Sequence, residues 1–312
     1  MKFLVILLAL SINHWWTRDR VLPGDGWYHR FAAWLYERTV SPAGDARVFF
    51  LAALFLPALA VLALLALLDG AVFGLLAVAL HVALLLCLFD PQNLRLWVQD
   101  YLQHWKSGDY EAAFLHLQER FSGLSVDGAT DLEAVHHQTV RYVVGTSFQR
   151  LFCVVFWYLF TGPAGALVYF SLVKLRTGKG LETAWENQAW VVTLYSLLEW
   201  VPARLLGLTF ALAGDFEAGF ARVRASLSES RSSGSEIVAD CALAAIGSHH
   251  KALLVHESRE DDTLVIDLEE QGDGISALHM ALQIEHLVHL LDRSQIVWVA
   301  ALAALAIYGI GG

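Results

Sequence analysis

The sequence predicts an all-α, polytopic helical membrane protein with about four clear transmembrane helices, re-entrant or interfacial helices, and polar helical segments. Three observations carry that prediction. The 312 residues are 56% hydrophobic and only 17% charged, a composition typical of membrane proteins. The apolar residues gather into unbroken blocks, several near the ~20 residues needed to cross a ~30 Å hydrocarbon core. Interfacial aromatics and charges flank those blocks. The formal charge of −10 is mostly local: Glu260, Asp261, Asp262, Asp267, Glu269, Glu270 and Asp273 sit in one stretch. An acidic balance excludes a phosphate-backbone binder, which needs a basic surface, so no nucleic-acid partner is expected.

Residues 1–46 form an N-terminal membrane-contacting helix and a polar segment. Met1 to Ile12 has the outline of a signal peptide, with a weak cleavage site at Ala9-Leu10-Ser11. A retained helix fits better, because Trp15 and Trp16 follow as interface anchors. Residues 47–89 read as a transmembrane hairpin, Val48 to Leu68 and Ala71 to Phe89, separated by Asp69-Gly70. Residues 90–149 form a polar helical domain, in which Gln92 to Phe121 folds as a helical hairpin turning at Ser107-Gly108-Asp109, the aspartate being an N-cap.

Leu151 to Val173, within a 150–173 segment, is uncharged between Arg150 and Lys174 and is broken by Gly162-Pro163. Residues 174–294 hold a membrane-associated segment, 190–212, and a further polar helical domain. In Trp190 to Leu212 the apolar gain nearly cancels the cost of Glu199 and Arg204, about 2.5–3.5 kcal/mol each at a helix centre. That segment should not insert alone, and lies in the membrane only if its charges meet polar partners. Beyond it come a loop at 228–235, a short helix from Ile237 to Gly247, an acidic loop at 258–274 with a strand-like run at Thr263 to Leu268, and a helix from Ile275 to Leu291. Residues 295–312 make a C-terminal span opened by Asp292-Arg293. Basic residues are spread too evenly to fix the orientation, and favour a cytoplasmic N-terminus by a narrow margin.

Gly108-Asp109-Tyr110-Glu111-Ala112-Ala113-Phe114 is echoed by Gly214-Asp215-Phe216-Glu217-Ala218-Gly219-Phe220. An internal duplication and a cap-and-helix signal used twice both explain it. A duplication would put both copies on one membrane face and require 190–212 to cross.

Two features could carry chemistry. Pro163 removes a backbone donor near the centre of a span, so Gly162, Pro163, Gly165, Tyr169 and Lys174 become ligand-binding candidates. An ordinary packing kink is the competing account. Glu199, Pro202 and Arg204 form the second set, two opposite charges and a helix breaker in an apolar stretch, against an interfacial segment whose charges face water. On an unbroken helix, Glu199 and Arg204 point about 140° apart, so their direct pairing requires Pro202 to open the turn. Glu285, His286 and His289 are the best-spaced metal ligands but form no closed set. Cys87, Cys153 and Cys241 form no CxxC pair, so neither a disulfide nor structural zinc is expected. There is no Gly-Lys-Ser/Thr phosphate loop and no Gly-x-Ser-x-Gly elbow, which removes the usual nucleotide and hydrolase signatures, leaves the cofactor unknown and leans away from an enzyme.

Phe156-Trp157, Gly162 to Tyr169, Glu199 to Leu205, Leu291-Asp292-Arg293-Ser294, Val297-Trp298 and Ile307-Tyr308-Gly309, in that order and spacing, resemble the AmpE family. The resemblance is strongest from Phe148 to Leu227. It implies a bacterial inner-membrane regulator of β-lactamase induction and peptidoglycan recycling, functionally linked to the cytosolic amidase AmpD, with the lipid bilayer as surroundings. A cell-wall-derived anhydromuropeptide or a nucleotide-like molecule would be its ligand. The family is itself similar to the CobD/CbiB cobalamin synthases, which would imply an amide-forming membrane enzyme. The Asp pair and Asn of those synthases correspond here to Tyr195, Ser196 and Glu199, and their Asn-Thr pair is missing near Val173-Lys174, which weakens metal- and nucleotide-dependent ligation. A muropeptide carrier using the broken helix is a third reading.

Overall fold

The computed structural model describes residues 2–16, 26–39, 46–68, 74–89, 94–120, 132–178, 188–227, 233–260 and 272–308. Among these the regular structure is helical throughout: α1 (Lys2–Trp16), α2 (Gly26–Thr39), α3 (Arg47–Leu67), α4 (Leu75–Leu88), α5 (Leu94–Lys106), α6 (Tyr110–Arg120), α7 (Leu132–Ser147), α8 (Cys153–Arg176), α9 (Ala189–Ala213), α10 (Phe216–Ser226), α11 (Gly234–Glu260) and α12 (Gly272–Ile307). A π-helical turn, Phe148–Phe152, links α7 directly to α8.

Among the described residues, four helical stretches are long and apolar enough to cross a membrane: Arg47–Leu67, Ala134–Arg176, Ala189–Ala213 and Met280–Ile307. The number agrees with the expectation, but the membership differs. α9 qualifies although its charges left it ambiguous in the sequence. α4, expected as the second arm of a hairpin, is described over 14 residues, and the start of that expected arm, residues 71–73, lies outside the described residues. α3 turns Leu51, Phe55, Leu59 and Leu62 outward, which water would penalise and lipid does not.

Other boundaries move as well. The helix expected at Ile237 to Gly247 is α11, running from Gly234 to Glu260, so its ends take in residues assigned to the two flanking loops. α12 merges the helix expected at Ile275 to Leu291 with the C-terminal span. The strand-like run at 263–268 lies outside the described residues. The turn at Ser107-Gly108-Asp109 is as expected: Gly108 has φ +77°, a conformation open to glycine, and Asp109 accepts from the Ala112 amide at 3.0 Å. Asp215 caps α10 in the same way, accepting from the Ala218 amide at 3.1 Å.

The chain divides into two compact units, 1–93 with 149–202 and 299–312, and 94–148 with 203–298. In the first, α3 and α8 pack most extensively, with α1, α2 and α4 against them; Phe49, Phe50, Ala53 and Leu54 of α3 are buried there with Tyr158, Leu167 and Phe170 of α8. In the second, α11 packs on α7 and α10, and α6 joins α5 to α7. One face of α5 carries Trp97, Tyr101 and Trp105 at four-residue intervals, all buried, and Trp97 stacks on His116 of α6 at 5.2 Å.

Candidate functional site

Three prolines interrupt the apolar helices of the first unit: Pro57 in α3, Pro163 in α8 and Pro202 in α9. Each lacks the amide that would reach the carbonyl four residues earlier, freeing the oxygens of Ala53, Leu159 and Leu198. Each freed oxygen receives a side-chain donor from another helix. Tyr28 Oη bonds Ala53 at 3.2 Å, Lys2 Nζ bonds Leu159 at 3.2 Å, and Trp157 Nε1 bonds Leu198 at 3.2 Å. Burial pushes the Tyr28 hydroxyl above its ordinary ionisation range, so it stays protonated and able to donate. An oxygen without a partner at membrane depth would cost several kcal/mol; here the compensation comes from within the chain.

Gly162 departs from the helix altogether, at φ +74° and ψ −160°. Here, as at Gly108, only glycine adopts the conformation without strain. The break expected from Gly162-Pro163 is therefore a true pivot in the backbone of α8.

Beyond the pivot, buried Tyr169, Tyr195 and Glu199 form a polar cluster with half-buried Gln149 and exposed Arg176. Glu199 of α9 is 0% exposed. Its Oε1 accepts from Tyr169 Oη at 3.1 Å and from Gln149 Nε2 at 3.2 Å. Gln149 Nε2 also reaches the Tyr195 hydroxyl at 2.8 Å, and Arg176 Nη1 donates to that hydroxyl at 2.7 Å, its guanidinium 4.9 Å above the Tyr195 ring. Buried Cys153 adjoins Tyr169. Glu199 Oε2 has no hydrogen-bond partner.

Local geometry explains why these side chains converge. Tyr195 and Glu199 are one turn apart on α9, Tyr169 and Arg176 two turns apart on α8, and Gln149 projects from the π turn, a common device for placing a side chain at a site. The arrangement offers three kinds of hydrogen-bonding group around a carboxylate with one vacant acceptor. It suits a ligand that presents a hydroxyl, an amide N–H or an ammonium group.

Of the residues expected from the sequence, Tyr169 and Glu199 are brought into direct contact. Gly162 and Pro163 form the pivot one to two turns before Tyr169. A Cβ on Gly165 would collide with the Thr161 side chain, so its absence permits the tight turn there. Lys174 is buried with Nζ 5.5 Å above the Phe170 ring. Pro202 does not open α9, which stays helical through it, and Glu199 and Arg204 have separate hydrogen-bond partners: Arg204, in the second unit, donates to the Ser226 carbonyl at 2.7 Å. Sequence reasoning did not select Gln149, Cys153 or Arg176, and met Tyr195 only as a departure from a synthase pattern. The four-residue spacing of Tyr195 and Glu199 was the signal available.

Glu285 accepts from Lys106 at 2.5 Å. Among the described residues, no group of three or more His, Cys, Asp or Glu side chains could hold a metal ion.

A family model described as "Regulatory signalling modulator protein AmpE" matches residues 1–258. The chain belongs to the AmpE family. No curated protein and no solved structure matches it. The AmpE match takes in the pivot, the whole Glu199 cluster and the two capped repeats, and ends within α11. The kinship expected with the CobD/CbiB synthases has no counterpart in these comparisons.

Proposed function

We propose that this AmpE-family protein is an inner-membrane sensor in β-lactamase induction and peptidoglycan recycling, acting alongside the amidase AmpD, and that it binds a cell-wall-derived or nucleotide-like ligand at Glu199. The observation carrying this reading is the buried Glu199 carboxylate, with Oε1 held by Tyr169 and Gln149 and Oε2 without a partner. A purely structural carboxylate in lipid would be expected to satisfy both oxygens, because a buried polar atom left unpaired costs about 1–3 kcal/mol. A ligand donor would complete the set. Entry requires α8 and α9 to part, and the Gly162 pivot supplies a place for α8 to bend.

The experiment is a thermal-shift screen of the detergent-purified full chain against anhydromuropeptides, UDP-linked muramyl peptides, ATP with magnesium, and cobyric acid. At 100-fold excess over the dissociation constant, a ligand should contribute about 2.7 kcal/mol. A shift with a muropeptide that disappears in Glu199→Ala and Tyr169→Phe, but survives in Arg204→Ala, supports the sensor and its site. A shift with cobyric acid or ATP would replace it with the amide-forming enzyme. No shift with any of the four would sink the ligand reading and leave a partner-binding scaffold.

A further inference from the structure

The second unit holds a groove of about 300 Å³, apart from the Glu199 cluster, where the end of α9 meets α11 and α12. One wall is rigid: a Cβ on Gly214 would lie 2.6 Å from the Ala245 carbonyl oxygen, and the Asp215 amide donates to that oxygen at 2.8 Å. The opposite wall is α12, which presents His286, His289 and Arg293 to the groove. Their three- and four-residue spacing places them on one helical face.

The acids on the same helix point to other partners. Glu285 is bound by Lys106, and Asp292 by Arg95. Asp215, at the groove's end, spends a carboxylate oxygen capping α10. Among the described residues, no carboxylate forms an ion pair with His286, His289 or Arg293. Arg293 makes one contact, a 3.5 Å bond from Nη1 to the Ala213 carbonyl, which leaves most of its five donors available. With Glu285 engaged, only two imidazoles remain, fewer than the three protein ligands of a typical zinc site. The groove therefore offers one fixed positive charge, Arg293, with two imidazoles beside it.

Its position narrows the chemistry. Ala213 and Gly214 in its lining close α9, a stretch long and apolar enough to cross a membrane, so the groove lies at the end of a candidate span, and Trp298 of α12 donates to Thr209 of α9 nearby at 3.1 Å. Basic pockets between helices at span ends recognise phosphate-bearing groups, guanidinium matches phosphate geometry, and the volume suits a small headgroup. We propose that the groove formed by His286, His289 and Arg293 is a binding site for a phosphate monoester, carried by a lipid headgroup or by a soluble molecule.

The test is native mass spectrometry of the full chain in detergent, titrated with dihexanoyl phosphatidic acid, with glycerol 3-phosphate, and with zwitterionic dihexanoyl phosphatidylcholine as a control. Saturable binding of a monoester, weakened at least tenfold in Arg293→Gln and in His286→Gln/His289→Gln but unchanged in Glu199→Ala, is the expected result. The two variants guard against one of them failing to fold. Preference for the lipid over glycerol 3-phosphate identifies the source as a headgroup, and equal affinity identifies a soluble phosphate. No saturable binding, binding equal to that of phosphatidylcholine, or affinity unaffected by the groove substitutions overturns the proposal. Because Glu199 is the control, this result is separable from the fate of the sensor reading.

Discussion

A carboxylate at the centre of a spanning helix costs about 2.5–3.5 kcal/mol on an insertion scale, so its neighbours decide whether it is tolerated. Around Glu199 the compensation comes from Tyr169 and Gln149 on Oε1 and from the neighbouring Tyr195 hydroxyl and Arg176 guanidinium. Glu199→Gln keeps the shape and the Oε1 acceptor but removes the negative charge. We expect its thermal midpoint to match or exceed that of the native protein, while the ligand-induced shift falls by at least 1.4 kcal/mol, a tenfold loss of affinity. Calorimetry with and without ligand checks both. A variant of lowered stability with an intact ligand shift would assign Glu199 to structure. The sequence exposed Glu199 because a charge in an apolar run is conspicuous. It did not expose Gln149 or Arg176, because a polar residue at the edge of a span usually faces water, and only the packing of α8, α9 and the π turn shows that Gln149 reaches Glu199 and that Arg176, itself exposed, reaches Tyr195.

At the scale of single helices, the recurring device is a proline whose lost hydrogen bond is replaced from a neighbouring helix. Tyr28 with Ala53 and Pro57 offers the cleanest case, because α3 has no further irregularity at that point. Tyr28→Phe deletes only the hydroxyl, leaves the Ala53 oxygen without its donor and should cost about 1–3 kcal/mol. In a Pro57→Ala background the new amide reaches Ala53, so the same deletion should cost at least 0.5 kcal/mol less. A double-mutant cycle by chemical denaturation measures that coupling. Additive effects would mean that the Tyr28 hydroxyl acts through its other contact, the Ser171 carbonyl at 3.4 Å. All three prolines, and the oxygens they free, could be read from the sequence. Their donors could not, since Lys2 and Leu159 are 157 residues apart and no local pattern links them. The same long-range compensation explains α9: its summed hydropathy was ambiguous because the sum charges Glu199 and Arg204 at full cost, whereas both are bonded inside the protein.

For the whole chain, the helices set a parity. Between the capped turns at Asp109 and Asp215 lie two stretches able to cross a membrane, Ala134–Arg176 and Ala189–Ala213. The first, at 43 residues, exceeds the ~20 residues one crossing needs and carries the break at Gly162 within it. If each crosses once, both turns lie on the same face and Gln188, between the two crossings, lies on the other, as an internal duplication requires. In a Cys87→Ser background, which removes the exposed native thiol, Ser107→Cys and Leu227→Cys should react with an impermeant maleimide from the same side of sealed vesicles, and Gln188→Cys from the opposite side. Labelling of 107 and 227 from opposite sides would mean that only one stretch crosses and would rule out the duplication. Labelling of all three from one side would mean that neither crosses, and Glu199 would then sit in an interfacial helix, where water could complete its Oε2 and remove the need for a ligand.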